Sequence, residues 1–97
     1  MPTSRARVAT ERPDRYAKQL ADHLGQRIAP VVEPGGVLLV FSRGSCVLVP
    51  APNYLLLTAS AADDGALGAV EEVVSRHLER IGQRDALAVG WARQQPG

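Results

Sequence analysis

His23 and His77 are the residues of this chain best suited to proton transfer or ligation, because an imidazole changes charge near neutral pH and carries a ligating nitrogen. His23 lies three residues after Leu20 and His77 four after Val73, so each borders an apolar stripe of helical spacing. If the two helices lie side by side the imidazoles approach one another. Such a pair can act as acid and base, or offer two ligands to a metal or haem iron. Metal sites want three or four ligands, and no third with suitable spacing is visible. The default for both is therefore a hydrogen-bonded filler at the edge of a packed face, with no cofactor and no metal expected. Tyr16, Lys18 and Arg76 are weaker candidates, as polar contacts to a bound molecule.

The other reactive side chains read as structural. Cys46 lies inside an apolar run, where a thiol behaves as a small inert hydrophobe. Asp63 and Asp64 cap a helix, and Glu71 and Glu72 are placed on its solvent side. Gly35-Gly36 lacks the Lys-Ser/Thr and the helix of a phosphate loop, and no nucleophile elbow or paired-histidine zinc motif occurs. Tyr16, Phe41, Tyr54 and Trp91 are too scattered to form a base-stacking platform. The expected module is non-catalytic.

These side chains must be held by elements the periodicity defines. Residues 5–10 alternate as a half-buried strand. Pro13 and Asp14 suit a first helical turn, and Tyr16, Ala17, Leu20, Leu24 and Ile28 give one stripe over a helix from 13 to about 28. Strand-like pieces at 31–33, 37–42, 45–50 and 54–60 are separated by short Pro/Gly turns, which demand antiparallel pairing. A second helix runs from the cap Asp63 to Gly82, with Leu67, Val70, Val74, Leu78 and Ile81 facing inward. Leu87, Val89 and Trp91 alternate as a last strand. The order β-α-β-β-β-β-α-β predicts an α+β two-layer sandwich, an antiparallel sheet with two helices on one face. One domain spans residues 1–97, with 93–97 a loose tail.

The totals agree with a single core. At 97 residues and 45% apolar composition, no disulfide or metal staple is needed. One cysteine and no apolar leader or span point to a cytoplasmic protein away from membranes. Net charge is +1, with Arg5, Arg7, Arg12, Arg15 and Lys18 exceeding Glu11 and Asp14 in the first 18 residues. That surplus falls short of a nucleic-acid-binding face.

The simple sandwich leaves one feature unexplained. A sheet with one wet face should alternate apolar with polar. Here Val37–Phe41, Cys46–Val49 and Tyr54–Leu57 are apolar on consecutive positions. With Leu39, Phe41, Cys46, Leu48, Leu55 and Leu57 under the helices, Leu38, Val40, Val47, Val49 and Leu56 project from the other side. Either the sheet curls strongly and its own edges or segment 31–36 fold over that face, or a partner covers it. A homodimer through Val40, Val47, Val49 and Leu56 is the leading expectation. A pocket for a hydrophobic small molecule, in a small enzyme or carrier, is the competing one.

Arg-Tyr-Ala-Lys-Gln-Leu at 15–20, His23, Leu39-Val40-Phe41, the helix from Val70 to Arg80, Arg84-Asp85 and the closing segment through Trp91 together resemble the bacterial family of domain of unknown function 2218. The resemblance spans nearly the whole chain and implies an α+β domain of this length, in the neighbourhood of siderophore and iron-utilisation genes. It implies no activity. Members tend to show a second histidine where this chain has Gln26, and charged outer sheet positions where it has Val47 and Val49.

Overall fold

The fold follows from two stripes of apolar residues that must be buried against the same ribbon of strands. The structure is a computed structural model describing residues 2–24, 31–33 and 35–94. Its elements are β1 (Thr3–Ala9), α1 (Pro13–Leu24), β2 (Val31–Glu33), β3 (Gly36–Phe41), β4 (Gly44–Pro50), β5 (Tyr54–Ala61), α2 (Asp64–Ile81) and, after a short 3₁₀ turn at Gln83–Asp85, β6 (Ala92–Gln94). This is the predicted α+β order. The strands form one antiparallel sheet in the order β2-β3-β4-β5-β1-β6.

Both helices cover the face carrying Ala6, Val8, Leu39, Cys46, Leu48, Leu55 and Leu57, all buried. Tyr16, Ala17, Leu20 and Leu24 of α1 and Leu67, Val70, Val74 and Leu78 of α2 close the core from above. Phe41 and Ile81 pack against it while half-exposed. Positions 25–28 of the expected first helix, Ile28 among them, lie outside the described residues. Small residues let α2 sit close to the sheet: Gly44 pairs with Ala61 and Cys46 with Ala59 beneath it. A Cβ at Gly44 would lie 2.3 Å from the Ser60 carbonyl oxygen and 2.9 Å from Val70.

The ends of α2 are those the residues dictate. The Asp63 carboxylate accepts from the Ala66 N–H at 2.7 Å, satisfying a donor that the helix cannot. At the other end the Gly82 N–H donates to the Leu78 carbonyl. Gly82 is required there for space, because Leu87 folds over it and would clash with any Cβ.

The closing segment differs from expectation. Leu87, Val89 and Trp91 do face the core, but residues 87–91 form no ladder, and the strand is Ala92–Gln94. Arg93 and Gln94 thus belong to the sheet and not to a tail; residues 95–97 lie outside the described residues. The reason is a different partner. The Val89 N–H donates to Glu79 at 3.0 Å, the Trp91 indole N–H to Ser75 at 2.6 Å, and the Arg93 guanidinium to Glu71 at 3.0 Å. Two residues of extended chain rise about 6.6 Å and four residues of helix about 6 Å, so the segment keeps step with α2 as a strap before joining β1. Glu71, expected on the solvent side, is largely covered and holds Arg93, which also pairs with Asp64 at 3.8 Å.

Candidate functional site

The imidazoles of His23 and His77 lie side by side, their ring centroids 4.8 Å apart and their planes tilted by 54°. The last turn of α1 presents His23, and the fourth turn of α2 presents His77, because both residues flank the stripes that pack α1 against α2. The pair forms one wall of a cleft of about 640 Å³. Its polar lining is completed by Arg76 and by Ser42 and Arg43, from the tight turn joining β3 to β4. Its floor is hydrocarbon: Leu24, Phe41, Val70 and Val73. This turn exists because Gly44 alone allows the close approach of β5 and α2 described above. Among the described residues lining the cleft both charged ones are arginines and none is acidic. Arg76 also meets Glu72, one turn away, at 2.5 Å, with both side chains about two-thirds exposed.

The structure therefore brings together three of the sequence candidates, His23, His77 and Arg76, and separates the others. Tyr16 is buried, and its hydroxyl hydrogen-bonds the Asp85 carboxylate, tying α1 to the turn after α2. That hydrogen bond, with burial and the negative charge of Asp85, holds the phenol above its ordinary pKa. Lys18 is exposed on α1 and does not line the cleft. Arg43, Ser42 and Phe41 were missed as a group, because a turn residue acquires neighbours only when the hairpin is placed beneath a helix. The consecutive turn pair Ser42-Arg43 beside an aromatic was the available signal.

Cys46 is buried in the core, and loss of hydration pushes its thiol up to about 12. Among the described residues no group of three or more His, Cys, Asp and Glu side chains is poised to hold a metal ion. No helix among them is long and apolar enough to cross a membrane.

The second face of the sheet is the other candidate. Val40 is 51% and Val31 46% exposed, while Leu38, Val47, Val49 and Leu56 are partly exposed. The register sets Val31 beside Leu38, Leu38 beside Val47, and Val49 beside Leu56. Among the described residues of segment 31–36, the backbone of Val31–Glu33 pairs with β3 as an edge strand of the sheet and does not fold over its face. Arg5 pairs with Thr58 and Arg7 with Leu56, which puts a basic margin on the β1 side of the apolar patch. The Arg7 guanidinium lies over the Tyr54 ring, 5.5 Å from its centroid.

Fold and surface define a small α+β sandwich with a basic cleft on the helix side and an apolar sheet on the other. The chain belongs to the family described as an uncharacterized protein conserved in bacteria (DUF2218), whose pattern matches residues 5–92. It is similar to a protein of Pseudomonas aeruginosa solved by NMR, PA4090, with 27% sequence identity and a TM-score of 0.77 over 95% of this chain and 96% of that one. No curated protein matches the chain.

Proposed function

We propose that this protein is a non-catalytic cytoplasmic module that works by self-association, two copies meeting through the outer sheet face. The observation that carries this reading is the pair Val31 and Val40, about half exposed amid Leu38, Val47, Val49 and Leu56. Burying one such side chain is worth about 1.5–3 kcal/mol, so leaving a cluster wet forfeits much of a typical domain stability of about 5–15 kcal/mol. Strands about 4.8 Å apart give a six-strand face of roughly 600 Å² per protomer, so apposing only its apolar half buries roughly 600 Å² over two copies, the size of a weak, concentration-dependent contact. Two-fold apposition of the apolar half leaves Arg5 and Arg7 at a solvated rim, the usual division of an interface.

Light scattering on a sizing column at micromolar concentration tests it. The expected mass is twice that of the protomer, falling to one protomer in a Val40→Lys, Val47→Lys double variant that keeps its fold. A wild-type monomer that stays soluble and binds no apolar dye overturns the proposal.

The cleft favours a second reading, a carrier for a hydrophobic metabolite. Its volume lies within the range of small-molecule sites, and its apolar floor and polar wall have their usual composition.

A further inference from the structure

The His23–His77 cleft combines an apolar floor with charged lining residues of one sign, and this restricts what can fill it. Phe41 and Val73 offer a surface to hydrocarbon or an aromatic ring. Arg43 stands on the β3–β4 turn and Arg76 on α2, so the two arginines come from different elements and line the same cleft. No acidic residue among the described lining offsets them. Glu72 engages one nitrogen of Arg76 in an exposed pair, which contributes little and leaves further N–H donors. His23 and His77, ring beside ring, line the same cleft. A neutral apolar molecule would cover these cations without satisfying them, and a bare inorganic anion would leave the hydrocarbon floor wet.

We propose that the cleft binds an amphipathic carboxylate, with the apolar body on Phe41 and Val73 and the carboxylate between Arg43 and Arg76. The proposal rests on the carrier reading and adds the chemical class of ligand. Charge-assisted guanidinium–carboxylate hydrogen bonds are the stronger kind, and two guanidiniums from separate elements can fix one carboxylate in orientation.

Titration of ¹⁵N-labelled protein with 4-phenylbutyrate, with its uncharged counterpart 4-phenylbutanol and with inorganic phosphate tests it. The expected result is saturable shifts of the amides at 41–43 and 73–77 with phenylbutyrate, about tenfold weaker binding of phenylbutanol, and no saturation by phosphate. Arg43→Gln and Arg76→Gln should each weaken phenylbutyrate about tenfold, equivalent to about 1.4 kcal/mol. Lys18→Gln, exposed on α1 and outside the cleft lining, should change nothing. Equal affinity for acid and alcohol would overturn the carboxylate assignment while leaving a carrier of apolar molecules standing. No saturable shift at the cleft with either compound would remove both readings, and saturation by phosphate alone would remove the amphipathic requirement.

Discussion

At the scale of single residues, the helix-side face is decided by size and hydration. Cys46 sits under α2, where its small thiol fits beside Ala59, and there the neutral form is held well beyond its ordinary range. A thiol is nucleophilic only as thiolate. The protein at pH 8 should thus react with a disulfide reagent no faster than it opens, and at once in denaturant; rapid titration of the native thiol would contradict this burial. The linkage has a definite sign. The folded pKa is raised, so the stabilisation from the neutral thiol is complete below about pH 9 and is lost as pH rises toward about 12. Gly44 supplies a second case. Gly44→Ala forces a Cβ against the Ser60 carbonyl and Val70 and should destabilise by about 1–3 kcal/mol in urea unfolding. Gly90→Ala meets nothing within 4 Å and serves as the control, expected to be neutral or slightly stabilising.

At the scale of elements, the strap shows where periodicity speaks and where it is silent. Alternation of Leu87, Val89 and Trp91 records that one side of an extended chain is buried, and that much holds. It carries no information on whether the backbone is satisfied by a strand or by side chains of a helix. Here Glu79, Ser75 and Glu71 provide the partners. A combined Ser75→Ala, Arg93→Gln variant should speed hydrogen exchange at Ala92–Gln94 while amides in the middle of α2 stay protected. Equal loosening of both would show that strap and helix open as one unit. The caps of α2 were legible because Asp63 and Gly82 act on backbone groups one turn away. Glu71 was not, although it stands four residues after Leu67 and three before Val74, beside the stripe. Its covering partner Arg93 is 22 residues on, and no local pattern reports a contact at that separation.

At the scale of the molecule, the two-sided apolar pattern of β3, β4 and β5 was readable as soon as the strands were placed. The helix-side assignment of Leu39, Leu48, Leu55 and Leu57 agrees with their complete burial. The cleft was half legible: a pair of histidines on facing stripes pointed to it, while Arg43 could join them only through the hairpin geometry. If the outer face pairs with a second copy, folding and association are coupled by mass action, and the melting temperature should rise with protein concentration. Val40→Lys should abolish that dependence, and a melting temperature unchanged over a hundredfold dilution would argue for an independent protomer. The strap also makes the molecule self-reporting. Its indole is the sequence's single tryptophan and is held against α2 by Ser75. Its emission thus follows detachment of the closing segment, and a red shift preceding the loss of helical circular dichroism would reveal peeling at that edge before global unfolding.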